Sequence, residues 1–329
     1  MNCYLSVVVV SRNDDHGGDP LRRTQIFLNS LAYQAKKYKL PLEMLFVEWN
    51  PPDEKPKIRD VLDFPLNPWF YSRIITVPPE LHAGFRHGDR QPLFQMIGKN
   101  VGIRRAVGEF ILTTNIDIIL DDTLFECIAQ KNLDNYCMYR ADRYDISNTI
   151  PENDHAMQQN YCRTIKNHVR RNHRFNSGRY KILQEKDPFD SKFLLAKSKI
   201  FNWIEIKKEP FAMAVLKPNV SPGLLNCNAC GDFTLMHRDA WTNIRGYGEF
   251  EAWSLHIDSI GCIQAYLAGY TEISFLPPLV CYHIEHAPAS GWTPENGHLL
   301  QERIQKNGIP LLDFNIMTDP ATIIQTFAA

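Results

Sequence analysis

Asn115-Ile116-Asp117 is the stretch of this chain best placed to do chemistry. It directly follows the apolar run Phe110–Thr113 and precedes another apolar pair and Asp121-Asp122. A carboxylate at the carboxyl end of a strand can hold a hard divalent ion against a diphosphate, and oxygen ligands suit Mg2+ or Mn2+. Such an ion offsets the charge that builds on a leaving phosphate. The same residues also fit a plain strand-to-helix turn in which the aspartate is a cap. Tyr282-His283-Ile284-Glu285-His286 carries two imidazoles three residues apart. In an extended chain they point to opposite faces, and the spacing is not that of a helical HExxH zinc site. Cys227-Asn228-Ala229-Cys230 lacks the second pair that a structural zinc site needs.

Groups like these work only where strands end side by side. Leu5–Val10, Leu42–Glu48, Tyr71–Val77 and Phe110–Thr113 read as strands, with Asp19–Leu40 and Gln91–Val107 as helices between them. That alternation predicts a parallel, doubly wound sheet, whose ligands bind beyond the carboxyl ends of the strands. Further along, Leu124–Gln130 reads as a helix and Tyr136–Tyr139 as a strand. The basic stretch His155–Arg174 reads as a solvated helix face or loop, or as a contact for an acidic acceptor or a diphosphate. Asp232–His237 is strand-like, and helices follow at Arg238–Ile244 and at Ile257–Ala268, the latter closed by Gly269. Strands at Thr271–Leu276 and Leu279–His283 flank Pro277-Pro278, and a last helix lies around Glu295–Lys306.

Of 329 residues, 44% are hydrophobic and 22% charged, the balance of a globular enzyme. A net charge of −1 supplies no general attraction to nucleic acid or to an anionic membrane. No run approaches the roughly 18–20 apolar residues of a spanning helix, and the start lacks a basic, signal-like region. Eight scattered cysteines read as reduced thiols. A cytoplasmic protein is expected, with contact at the inner face of a membrane as a variant.

The approach to Asn115 has a family character. Gly98-Lys99-Asn100-Val101-Gly102-Ile103-Arg104-Arg105-Ala106-Val107-Gly108-Glu109-Phe110-Ile111-Leu112 resembles the stretch that leads into the Asp-x-Asp motif of the inverting family-two glycosyltransferases, which have the GT-A fold. Lys99 stands where the family usually has arginine, and Asn115 where it has the first aspartate. A second match is Gly231–Trp241 with Arg245-Gly246-Tyr247-Gly248-Glu249-Phe250 and the helix end Leu267-Ala268-Gly269-Tyr270. Counted back from Gly269, Asp258 falls on the family's general base, and Ile257 and Ile260 replace acidic neighbours.

The resemblance implies an α/β chain of GT-A type over 1–329. A nucleotide-sugar-binding half (1–120), a variable middle (121–230) and an acceptor and catalytic half (231–329) would make one domain. It implies transfer of a sugar from a UDP- or GDP-sugar to a hydroxyl of a glycan, lipid-linked sugar or small molecule. Asp117 inherits the metal-ligand role for Mn2+ or Mg2+, with a histidine returning to it. The alternation of an extended chain favours His283, with His286 as the other candidate. Ser11, Arg12, Asn13, Glu48, Asn50, Lys99, Asn100, Arg104, Thr114, Asn115 and Ile116 are the candidate donor contacts, and Trp49 or Arg12 could pack on the base. Asp258 is the candidate base, with His256 beside it as a second titrating group or an acceptor contact. Asp232, Trp253 and Trp292 are candidate acceptor contacts. A retaining enzyme would keep the same metal pair and use Asp258 differently. A sugar nucleotidyltransferase is disfavoured by the acidic Asp14-Asp15-His16-Gly17-Gly18-Asp19 loop after the first strand.

Overall fold

Leu5–Ser11 (β1) is buried along its whole length, so it must lie inside a sheet covered on both faces. The computed structural model describes residues 3–164, 168–169, 225–227, 229–286, 302, 306, 308 and 309. The helices are α1 (Pro20–Lys37), α2 (Ile58–Val61), α3 (Pro79–His82), α4 (Gln95–Ile103), α5 (Asp122–Ala129), α6 (His155–Thr164), α7 (Arg238–Asn243) and α8 (Ile257–Leu267). The remaining strands are β2 (Leu42–Trp49), β3 (Phe70–Val77), β4 (Phe110–Thr113), β5 (Ile118–Leu120), β6 (Cys137–Ile146), β7 (His168–Val169), β8 (Thr234–His237) and β9 (Thr271–Ile284).

One sheet runs β3-β2-β1-β4-β8-β6-β9-β5, with β7 added on β6. β3-β2-β1-β4 and the β6–β9 pair are parallel. β8 enters antiparallel between β4 and β6, and β5 runs antiparallel to β9. The mostly parallel α/β sheet implied by the GT-A resemblance is the sheet found. These directions bring the carboxyl ends of β1, β4, β6 and β9 to one edge of the sheet, together with the start of β8. The turn at Asp117, which enters β5, lies on that edge too.

α1 covers one face, where Phe27, Leu28 and Leu31 join Val7, Val9 and Phe46 in the core. Pro20 opens this helix at a position where its missing N–H costs nothing, and Lys36 and Lys37 sit favourably in its last turn. α4 lies on the opposite face, and its glycines explain the family-like spacing. A Cβ at Gly98 would stand 2.7 Å from Val10 Cγ1, and one at Gly102 would strike Val8. Their absence lets the helix axis sit directly on β1. A methyl group there would overpack the contact at roughly 1–3 kcal/mol.

Several elements depart from the sequence reading. α4 is shorter than Gln91–Val107 because turns and irregular chain occupy 86–93 and Phe94 is its N-cap. β6 runs seven residues beyond Tyr139, through Arg140, Arg143 and Asp145. The strands around Pro277-Pro278 are one strand, with a register shift opposite Ala141/Asp142. Of the basic stretch, α6 is helical, and it turns Gln158, Gln159 and Cys162 inward. The Glu295–Lys306 helix lies almost wholly outside the described residues. All eight cysteines are free, seven of them buried. Among the described residues no helix is long and apolar enough to cross a membrane.

Candidate metal and donor site

Sheet register assembles the centre of the site. His283 on β9 is paired with Asp145 of β6 on one side and with Ile118 of β5 on the other. Asp117 immediately precedes Ile118, so His283 Nε2 comes 3.7 Å from Asp117 Oδ2. β9 ends at Ile284, and the chain no longer alternates beyond it. His286 therefore turns back to the same carboxylate, with Nε2 3.3 Å from Oδ2 and its ring centroid 5.2 Å from that of His283. The opposite-faces argument fails here because the extended segment stops two residues too early.

One donor atom from each of Asp117, His283 and His286 lies within 4.8 Å of the others. Asp117 is 5% exposed, and its Oδ1 has no hydrogen-bond partner although it is buried. Burial pushes its carboxyl up, but His283, His286 and Arg23 outweigh burial and hold it at about 2. Arg23, from the first turn of α1, stands 3.8 Å from Asp117 Oδ2 and donates to the carbonyls of His16 and Gly18. It thereby ties down the loop whose Gly17 touches His286, where a Cβ would lie 2.6 Å from Nδ1. A buried anion with a free lone pair, two imidazoles and a close glycine wall fit a divalent cation. One carboxylate with two imidazoles suits a transition metal better than Mg2+, which prefers an oxygen octahedron.

Beside the metal ligands, Asn115 accepts from Gln95 Nε2 at 2.8 Å and donates to Asp232 Oδ1 at 2.6 Å. The Thr114 hydroxyl donates to the Asp232 carbonyl at 2.6 Å. The other oxygen of Asp232 takes a bond from Arg143 at 2.6 Å. Ile116 is half-buried in the same turn and packs against the core.

Lys99 is fully buried, and its ammonium donates to the Gly231 carbonyl at 2.7 Å. The Gly231 N–H in turn donates to Asp258 Oδ2 at 2.8 Å, and Asp258 Oδ1 accepts from Ser259 N at 2.9 Å. Burial lowers the Lys99 amine from 10.5 to about 8, against the pull of Asp232, Asp258, Cys230 and Asp117. Those three carboxylates thus surround one buried ammonium. His256, the residue before α8, has a left-handed backbone (φ 72°), and burial lowers its imidazole. Trp253 is half-buried in the loop that leads to it.

The Lys99 shift has a testable sign. Below pH 8 both folded and unfolded chains carry the proton, and the burial cost is present in full. Between pH 8 and 10.5 only the unfolded chain holds it, so folding gains as pH rises, by about 3 kcal/mol in all. Denaturant unfolding of wild type and Lys99→Met across this range should show the wild type gaining on the variant. Parallel pH dependences would sink the assignment.

The remaining candidates bond within the protein. Glu48 is fully buried, accepting from Ile58 N at 2.7 Å and from the Thr76 hydroxyl at 3.3 Å. Asn13 donates to the Pro56 carbonyl, and Arg12 and Asn50 both donate to that of Pro92. The Ser11 hydroxyl reaches the Arg12 carbonyl at 3.5 Å. Asn100 clamps Tyr247 through two bonds of 2.8 Å, and Arg104 pairs with Glu249. Trp49 points into the core, 1% exposed with its indole N–H on His82 at 2.9 Å, so it is no platform for a base. Trp292 lies outside the described residues. The residues missed by sequence reasoning are Arg23, Gln95, Arg143 and Asp145; extending β6 past Tyr139 would have placed the last two at a strand's carboxyl end.

No family model matches the chain, and no curated protein does. Among solved structures it is similar to S. aureus TarS 1–349, at 14% identity and a TM-score of 0.47, over 99% of this chain and 72% of that one. The same TarS fragment in complex with UDP-GlcNAc matches at 13% identity and 0.44, over 99% and 73%. GalNAc-T7 with UDP, GalNAc and Mn2+ matches at 11% identity and 0.46, over 88% of this chain and 45% of that one. At such identities and TM-scores the likeness assigns no chemistry to any residue, and the case for this site rests on its own geometry.

Proposed function

We propose that this chain is a glycosyltransferase that moves a sugar from a nucleoside-diphosphate sugar to a hydroxyl acceptor, with inversion. The observation that supports it most is the convergence of Asp117, His283 and His286 at the carboxyl edge of the sheet, with Asp232 and Asp258 around the same buried Lys99.

Asp117, His283 and His286 would hold the cation, Mn2+ in preference to Mg2+. When bound, the ion neutralises charge developing on the leaving diphosphate. Asn115, held by Gln95 and Asp232, offers its amide to a donor hydroxyl. Asp258 takes the proton from the acceptor hydroxyl as that oxygen attacks the anomeric carbon. Lys99 keeps Gly231, and through it Asp258, in place. Asp258 sits in the first turn of α8, where it also serves the mundane role of a helix-terminal acceptor.

Thermal denaturation across UDP-, GDP- and CMP-sugars, with and without Mn2+, tests the reading. A ligand at a hundred times its Kd stabilises the native state by about 2.7 kcal/mol. A UDP- or GDP-sugar should raise the midpoint, and more so with Mn2+ present. No response to any nucleotide or metal would remove the proposal, while product NMR separates inversion from retention.

A further inference from the structure

Beside the metal ligands lies a run of buried charge, of which the transfer chemistry above uses only Asp232. His283 Nδ1 is 2.9 Å from Asp145 Oδ1. Arg143 Nε is 3.1 Å from that same oxygen, and Arg143 NH1 donates to Asp232 Oδ2 at 2.6 Å. Asp232 continues the chain to Asn115. Arg143, Asp145 and Asp232 are each 9% exposed or less. Burial alone would lower the Arg143 guanidinium, but Asp232 and Asp145 outweigh it and raise it, so the cation stays charged.

We infer that Asp145 is a positioning residue that fixes the ring and the tautomer of His283 for metal binding, with Arg143 locking Asp145 to the Asn115 side of the pocket. The inference rests on the metal reading above. A carboxylate can only accept, so the ring proton must sit on Nδ1. The Nε2 lone pair is then left on the side that faces Asp117. A histidine ligand whose other nitrogen is bonded to a carboxylate is both oriented and made more basic, and loss of such a partner commonly costs 10–100-fold in metal affinity. The parallel β6–β9 register delivers this contact, since Asp145 and His283 are direct partners. Arg143 keeps the second carboxylate from repelling the first. Without it, three acids would crowd the site, opposed by Arg23, Lys99 and the imidazoles.

Mn2+ titration of the donor-free protein, followed by the EPR signal of free Mn2+, tests this on wild type, Asp145→Ala and Asp145→Asn. Asp145→Ala should bind roughly 10–100-fold more weakly. Asp145→Asn, whose carbonyl still accepts from Nδ1, should recover part of that loss. Asp145→Ala binding within twofold of wild type overturns the inference and leaves the metal reading standing. A wild type that binds no Mn2+ overturns both. Should Asp145→Ala fail to fold, nitrogen NMR of the metal-free wild type decides: His283 must carry its proton on Nδ1, and the Nε2–H tautomer refutes the role.

Discussion

Asp258→Asn should lower turnover by roughly 10²–10⁴-fold while leaving Mn2+ and nucleotide affinity near the wild-type values, because a positioned general base contributes about that much. The carboxylate accepts from Gly231 N and from Ser259 N, one bond to each oxygen. Asparagine keeps one of those acceptors and cannot take a proton from the acceptor hydroxyl. Its structural cost is one N–H left without a partner, about 1–3 kcal/mol. A lowered Tm with normal kcat would therefore make Asp258 a helix-terminal acceptor and nothing more. Steady-state rates and donor binding, measured side by side, separate the outcomes. Turnover within a few-fold of wild type would place the base elsewhere or leave the chain a sugar-binding module. His256 is the nearest alternative, since burial keeps its imidazole neutral and able to accept.

The sequence was legible wherever burial wrote a simple pattern. β1, β2 and β4 are buried along their whole length between α1 and α4, so they appear as mainly apolar runs such as Val7–Val10. β6 shows the opposite case. Arg140, Arg143 and Asp145 look like loop residues, and only the tertiary structure supplies the partners that let them be buried. Periodicity cannot anticipate a charge that is neutralised from a distant strand. The family-like stretch 98–112 was legible in order but not in role. Gly98 and Gly102 press α4 onto β1, so Lys99 and Asn100 face the protein's interior and hold Gly231 and Tyr247. Likewise Asn13 bonds the Pro56 carbonyl and Glu48 bonds Ile58 N and Thr76, so both serve the fold. His286, a candidate ranked behind His283 on the assumption of an extended chain, joins Asp117 because the strand ends at Ile284.

Asp117→Asn should abolish tight Mn2+ binding and cut transfer by about a thousandfold, since Lewis-acid stabilisation is worth several kcal/mol and each 1.36 kcal/mol is tenfold in rate. The substitution preserves volume in a site where Asp117 is 5% exposed, so the fold should survive. What it removes is the carboxylate that Arg23, His283 and His286 share, together with the unpartnered Oδ1. Mn2+ would then face two neutral imidazoles and a guanidinium, which repels it. The Asp117 carboxyl, held at about 2 by His283, His286 and Arg23, stays ionised at any working pH, so the substitution removes a full charge. The variant should also lose any preference for Mn2+ over Mg2+, since that preference needs a cation bound at this nitrogen-rich set. Tight Mn2+ binding by Asp117→Asn, with transfer within tenfold of wild type, would move the metal away from this cluster, and the proposed chemistry would need a different centre.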